Sequence, residues 1–289
     1  MKLGQVLEKT IQFFKDKGFQ SARLDSELIL SAALGVERIQ LYLKFDQPLK
    51  EDELQKCRDL VKRRSTGEPV AYILGQKEFY GNAFHVSAGV LVPRPETELV
   101  VDYALTWMQS KGFSRCRILD LGSGSGCIGL SILLRSENSE LVSTDLSEIA
   151  IESTTKNASF HKMEGRTRVV QVDLSNKAAV DQKIQGKFDV IVANPPYIDR
   201  NDSLIEENVK KFEPESALFS GENGFEDIRK WTENTKALLK VPGIFLMEVG
   251  WDQGEKTKNL FLSLGIFSDV EVIKDLSGKD RVIRGVLNG

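Results

Sequence analysis

The chain is poor in the residues that build metal and redox centres. It has two histidines and three cysteines among 289 residues. Cys57, Cys116 and Cys127 are scattered and odd in number, so they form neither a disulfide framework nor a metal-ligand spacing. His85 and His161 have no carboxylate or cysteine pattern around them, and no metal is expected. Long hydrophobic runs are missing as well. No stretch approaches the roughly 18 apolar residues of a membrane span. The first residues carry charges throughout, which excludes a signal-peptide reading and leaves a cytoplasmic expectation. Excess positive charge is also lacking: the net charge is -3. An obligate partnership with a long nucleic-acid duplex, which favours a basic surface, is therefore not expected. What is present is ordinary globular composition, 41% hydrophobic and 28% charged, enough for two domains or one large one.

Residues 1–75 read as helices. Leu3, Val6, Leu7, Thr10 and Phe14 fall on one helical face, and Gly18 ends it. Ser21 is placed to cap a second helix with Leu24, Leu28 and Leu30 on its face, ending near Gly35. A short segment follows at 36–44. A fourth helix carries Leu54, Cys57, Leu60, Val61 and Arg64 on one side and stops at Gly67. Residues 76–94 change texture and read as a β-hairpin linker, with short strands around Phe79–Val86 and Val90–Val92 separated by Ser87-Ala-Gly89.

From residue 95 to 289 strands and helices alternate. The spacing predicts strands at 117–121, 140–145, 167–172, 188–193, 243–249, 269–274 and 281–287. Helices are predicted at 96–110, 127–135, 147–163, 225–240 and 253–264. The segment 177–185 has no clear type, and 198–224 is a long loop, either a lid or a solvated connector. This is an α/β pattern with a mostly parallel sheet buried on both faces. Ligands of such sheets bind at the carboxyl ends of the strands, so the residues there carry the functional reading.

After the first of these strands comes Asp120-Leu-Gly122-Ser123-Gly124-Ser125-Gly126-Cys-Ile-Gly129. Glycines allow close backbone approach and positive φ, and the next helix offers its electropositive end. Residues 124–129 match G-x-G-x-x-G, the dinucleotide fingerprint. The register argues otherwise, because the first glycine after the strand is Gly122. Asp120 would also sit poorly beside a pyrophosphate and well beside an ammonium group. The second strand ends at Asp145, followed by Leu146, where a carboxylate can accept both ribose hydroxyls. The third is followed by Asp173-Leu174, placed to meet an adenine amino group and ring. A ligand with ribose, adenine and a cationic amino acid but no phosphate is S-adenosylmethionine, the inferred cofactor.

The fourth strand runs into Asn194-Pro195-Pro196-Tyr197. Two prolines stop a strand because neither donates a ladder hydrogen bond. The Asn side chain and neighbouring carbonyls are then free to hold an –NH2 group as its nitrogen is attacked or attacks.

Asp120-Leu-Gly-Ser-Gly-Ser-Gly126, Asp145 and Asn194-Pro-Pro-Tyr197 resemble the motifs of Rossmann-like, seven-stranded S-adenosylmethionine-dependent methyltransferases acting on nitrogen. Gly67-Glu-Pro-Val-Ala-Tyr-Ile-Leu-Gly75, Val92-Pro-Arg-Pro-Glu-Thr-Glu98, Asn194-Pro-Pro-Tyr-Ile-Asp199 and Glu248-Val-Gly-Trp-Asp-Gln-Gly254 extend the likeness over nearly the whole chain. With these segments it resembles the peptide chain release factor glutamine N5-methyltransferase family. The resemblance implies a small helical-bundle domain for substrate recognition ahead of the methyltransferase domain. It implies methylation of the glutamine of a Gly-Gly-Gln motif. A monomer is expected. Asn194, Pro195, Pro196 and Tyr197 would be catalytic and, with Arg94 and Glu98, bind substrate; Asn194 would also contact the cofactor. Where the family often has an aromatic, this chain has Leu174. Arg94, Glu96 and Glu98 equally suit a helix N-terminus on dipole grounds, and Glu248 has two readings of the same kind. A glutamine methyltransferase of a ribosomal protein remains an alternative. So does an N-methyltransferase of exocyclic amino groups in RNA or DNA.

Overall fold

The structure, a computed structural model, describes residues 1–203 and 205–288. The chain divides into two compact units, one of residues 1–76 with 206–212 and one of 77–205 with 213 onward.

The first unit is helical: α1 (Leu3–Asp16), α2 (Ala22–Leu34), α3 (Arg38–Leu43), α4 (Glu51–Ser65) and α5 (Val70–Leu74). Its core joins Leu3, Val6, Leu7, Leu30, Leu41, Leu54 and Cys57. The expected stripe on α2 is displaced. Leu24 is exposed, and Ala22, Ser26, Ile29 and Leu30 face inward with Asp25 and Glu27. The two acids are buried because each has donors. Asp25 pairs with Arg64 Nε at 2.8 Å, and Glu27 accepts from Arg38 at 2.5 Å and from the Tyr42 hydroxyl at 2.5 Å. A charged residue on an apolar stripe was thus a paired one, which periodicity does not see. Ser21 bonds the Asp25 carboxylate rather than capping the helix.

The second unit begins with a hairpin, β1 (Gln76–Phe79) and β2 (Asn82–His85), so the turn is Tyr80-Gly81 and not Ser87–Gly89. Both turn residues have positive φ, 51° and 70°, the backbone that two-residue hairpins require. A tyrosine there is uncommon, which hid the turn. From Lys77 on, this segment lies within the second unit. Phe79 and Phe84 sit in its core, and Asn157 bonds both the N–H and the carbonyl of His85.

After α6 (Glu98–Ser110) come β3 (Arg117–Leu121), α7 (Cys127–Leu134), β4 (Glu140–Asp145), α8 (Glu148–Phe160), β5 (Thr167–Gln171), α9 (Lys177–Lys183) and β6 (Phe188–Ala193). The predicted 198–224 loop holds β7 (Ile198–Asp199), α10 (Glu207–Phe212), α11 (Glu215–Leu218), β8 (Phe219–Ser220) and the short turn α12 (Gly221–Gly224). The pairing of β7 with β8 closes this excursion at its base. Residue 204 of the loop lies outside the described residues. The chain ends with α13 (Glu226–Thr235), β9 (Leu239–Glu248), α14 (Gly254–Ser263), β10 (Asp269–Lys274) and β11 (Asp280–Leu287).

The seven-stranded sheet has the order β10-β11-β9-β6-β3-β4-β5. Strands β9, β6, β3, β4 and β5 are parallel, and β11 runs antiparallel between β9 and β10. Alternate side chains of one strand serve opposite cores. Ile118, Val190, Val192, Ile244 and Leu246 pack with α6 and α7, while Leu119, Ile191, Phe245 and Met247 pack with Ile228, Trp231 and Phe261. Every residue of β6 is buried. That explains its unbroken apolar run and puts the next residue, Asn194, at the carboxyl edge of the sheet's centre. There β3 has β4 on one side and β6 on the other, the crevice where such sheets take ligands. Among the described residues no helix is long and apolar enough to cross a membrane.

Candidate active site

A cavity of about 230 Å³ opens at this edge. The glycine loop forms its floor, with Gly122, Ser123, Gly124 and Ser125 lining it. Gly122, Gly124 and Gly126 have φ of 68°, 56° and 79°. The loop is held from behind by α8. Thr154 Oγ1 donates to the Gly124 carbonyl at 3.0 Å, and Asn157 Nδ2 donates to the Ser125 carbonyl at 2.8 Å. Gly126 is not in the wall; a side chain there would meet Leu130 and Thr154.

Among Gly122, Gly124 and Gly126, Gly122 is the tightest position. A Cβ on it would lie 2.5 Å from Trp231 Cη2, and Trp231 itself lines the cavity. Gly122→Ala is therefore expected to destabilise the protein by about 2 kcal/mol, combining left-handed strain with the displaced indole. It should also weaken S-adenosylmethionine binding. Thermal denaturation and calorimetric titration check both, and an unchanged affinity would place the ligand elsewhere.

Asp145 lines the cavity with both oxygens oriented: Oδ2 accepts the Gly124 N–H and Oδ1 the Ser147 N–H, each at 2.9 Å. Burial raises its pKa, and those two N–H donors oppose the rise. A carboxylate oxygen accepts more than one hydrogen bond, so capacity remains for hydroxyls of a ligand. Leu146 lies at the rim, 61% exposed. Asp173 and Leu174 lie in the wall. Asp173 Oδ1 accepts the Ser175 N–H, and Leu174 is buried, its carbonyl fixed by Asn234. Val90, Ile128, Ala150 and Val172 supply apolar surface.

Asp120 is placed differently from the sequence expectation. It is fully buried beneath the loop, with Oδ2 accepting the Gly129 N–H at 3.0 Å and Oδ1 without a hydrogen-bond partner among the described residues. It is not in the cavity wall. Burial, with nearby Asp145, pushes its carboxyl up to about 7. Any influence on a ligand acts as charge through the loop.

Asn194 and Pro196 line the cavity, and Pro195 is buried behind them. Tyr197 turns away: its hydroxyl donates to Glu248 Oε1 at 3.0 Å, and burial beside that carboxylate holds the phenol protonated. Arg94 is in the wall, but its guanidinium pairs with Glu213 Oε1 at 2.5 Å, while Glu213 Oε2 accepts the Val92 N–H. Glu98 is not brought to the cavity. Its carboxylate accepts the Tyr80 N–H at 2.8 Å, an amide that the hairpin turn leaves without a ladder partner. Glu96 is exposed.

Thr97, Trp231, Asp227 and the 214–217 segment are wall residues that sequence reasoning passed over. Thr97 sat inside the Arg94–Glu98 segment, and the others carried no local signal. The donor set suits a nucleoside with a cationic substituent: an oriented carboxylate, a glycine floor, an apolar slot and an unpartnered buried carboxyl oxygen beneath.

Comparison with known proteins bears on the whole chain. A family model described as the PrmC N-terminal domain matches residues 5–75, and one described as the methyltransferase small domain matches 102–218. The release factor glutamine methyltransferase of Chlorobaculum tepidum is 36% identical over 281 residues, spanning 96% of this chain and 94% of that protein. That of Salmonella typhimurium is 37% identical over 265 residues, 92% of each. A methyltransferase from Pyrococcus furiosus, 19% identical, superposes with a TM-score of 0.51 over 82% of this chain and 98% of that one, and shows the fold.

Proposed function

Because this chain belongs to the release factor glutamine methyltransferase family, we propose that it methylates the glutamine side-chain nitrogen in the Gly-Gly-Gln motif of peptide chain release factors. The observation that carries the reading is the sharing of one cavity by Asn194, Asp145 and the glycine loop. S-adenosylmethionine is the cofactor and, when bound, supplies a methyl group made electrophilic by its sulfonium. Asp145 would hold the ribose, the Asp173-Leu174 segment the adenine, and Gly122 to Ser125 the amino-acid end.

A glutamine amide nitrogen is a poor nucleophile, since its lone pair is delocalised into the carbonyl. The chain's residues therefore orient that nitrogen and stabilise it as charge develops. Asn194 Oδ1 would accept one amide N–H and the Pro195 carbonyl would accept the other, leaving the lone pair free to face a bound methyl donor. A near-attack separation of ~3–3.5 Å lowers the barrier by several kcal/mol. Acceptors that pull harder as positive charge grows on nitrogen favour the transition state over the ground state. Pro196 stiffens the turn, and Tyr197 is anchored through Glu248. The attacking nitrogen becomes acidic as it is methylated, and water suffices to take its proton. The helical unit, with Ile39, Leu43 and Phe45 exposed, suits recognition of the release factor body.

The test is mass spectrometry of a purified release factor and of a ribosomal fraction, each incubated with enzyme and S-adenosylmethionine. A gain of one methyl group on the Gly-Gly-Gln peptide is expected. Methylation confined to a ribosomal protein would overturn the reading.

A further inference from the structure

We propose that Thr97 and Glu248 are positioning residues that decide which end of the Asn194 carboxamide meets the substrate. The inference rests on the reading of Asn194 as the acceptor for the substrate amide. A carboxamide has two ends of nearly equal size, an oxygen that accepts and an NH2 that donates. Only the oxygen end can receive a substrate N–H. The opposite orientation would set donor against donor, so something must choose.

The choice is made behind Asn194. Asn194 Nδ2 lies 3.4 Å from Thr97 Oγ1, and Thr97 Oγ1 donates to Glu248 Oε2 at 2.5 Å. The other oxygen of Glu248 takes the Tyr197 hydroxyl at 3.0 Å. Thr97 is the donor in its bond to Glu248 Oε2, so its single hydroxyl proton is committed to that oxygen. What Thr97 then offers Asn194 is a lone pair. That lone pair accepts from NH2 and repels a carbonyl oxygen, which turns Oδ1 toward the cavity. Thr97 and Glu248 are each 1% exposed, so bulk solvent competes little for either side chain.

The backbone sets this relay. Strands β6 and β9 run parallel with Ala193 opposite Met247, so Asn194, just past β6, and Glu248, the last residue of β9, stand side by side at the carboxyl edge. The Thr97 N–H bonds the Arg94 carbonyl at 3.2 Å in the 3-10 turn that opens α6, which holds the hydroxyl over the two strand ends. Burying the Glu248 carboxylate is unfavourable in itself, and burial raises its pKa. The two hydroxyl donors and the charge of Arg281 act the other way. A buried acid kept with this donor set fits an orienting task better than a packing one.

The experiment is steady-state methylation of a release factor by Thr97→Val, Thr97→Ser and Glu248→Gln beside the wild type. Thr97→Val keeps the side-chain shape and removes the relay. It is expected to lower kcat about tenfold or more while KM for the release factor and the affinity for S-adenosylmethionine stay within about threefold, because orientation matters most as charge builds on nitrogen. Thr97→Ser restores the hydroxyl and should recover most of the lost turnover. Glu248→Gln provides one acceptor and one donor where two acceptors stood, so one hydroxyl must turn. It should lower kcat in the same way, and the double variant with Thr97→Val should show little further loss. If Thr97→Val does not fold, the Glu248→Gln and Thr97→Ser pair carries the decision. A wild-type kcat in Thr97→Val or in Glu248→Gln, or equal losses in Thr97→Val and Thr97→Ser, would overturn the inference alone. A wild-type enzyme inactive on the release factor would overturn it together with the functional reading.

Discussion

Asn194→Ala is expected to lower kcat for release factor methylation by about 10²–10³-fold, the scale on which one acceptor or donor aimed at developing charge contributes. The substitution removes Oδ1 at the carboxyl end of a strand buried along its whole length. The apolar packing of β6 lies on the other side of that point, so the fold should survive. The cofactor wall away from Asn194 rests on the glycine loop, Asp145 and the Asp173-Leu174 segment, and affinity for S-adenosylmethionine should change by no more than about threefold. Equilibrium binding and single-turnover methylation measured together separate the two effects. Retained methyl transfer would remove Asn194 from the chemistry. A loss of cofactor affinity as large as the loss of rate would make it a binding residue instead.

The second large effect concerns Asp120. Its carboxyl, pushed up to about 7 by burial, is protonated in the folded protein over a range where the unfolded chain has already lost that proton. A raised carboxyl pKa contributes stability that is fullest below the ordinary value near 3.8 and declines as pH rises through about 7. Above that the folded protein holds a buried, half-partnered anion. Asp120→Asn keeps the acceptor for the Gly129 N–H and carries no charge. At pH 8 the variant without cofactor should be more stable than the wild type by about 2 kcal/mol, roughly 4–8 °C in melting temperature, with little difference near pH 4. The cofactor reverses the comparison. A cation above the loop favours the ionised form of Asp120, so wild-type affinity should strengthen as pH rises toward about 7. Asp120→Asn should bind more weakly at pH 8 and lose that pH dependence. Calorimetric titrations across pH 5.5–8.5, with melts of the unliganded proteins, check both halves. A wild-type affinity flat across that range would show that Asp120 does not sense the ligand.

These two residues mark what the sequence could and could not reveal. Asn194, Asp145 and Gly122 were legible because each sits at the end of a strand whose apolar run is itself legible, and parallel sheets put their ligands there. Asp120 was legible as a residue of interest but not in its placement. A strand-end carboxylate reads the same whether it lines a cavity or lies beneath one. Thr97 and Glu248 were harder still. They are 151 residues apart and meet only through the register of β9 on β6 and the approach of the 3-10 turn. The Arg94–Glu213 pair, 119 residues apart, had no trace in local pattern. Glu98 misled for the opposite reason. It shares a motif with the cavity residues, yet an alternate direction of its side chain serves the hairpin. The helical unit shows the same limit in Asp25 and Glu27, whose partners convert apparent surface charge into core.

Asn157 has a use outside the cavity. Its Oδ1 holds the His85 N–H at 2.7 Å, and its Nδ2 serves the carbonyls of His85 and Ser125. One carboxamide therefore spans the hairpin and the glycine loop with its acceptor and its donor group both engaged. The His85 amide proton is consequently a gauge of loop order at a distance from the ligand. Its exchange with deuterated solvent should slow when the loop is occupied, giving a readout of binding that needs neither substrate nor turnover.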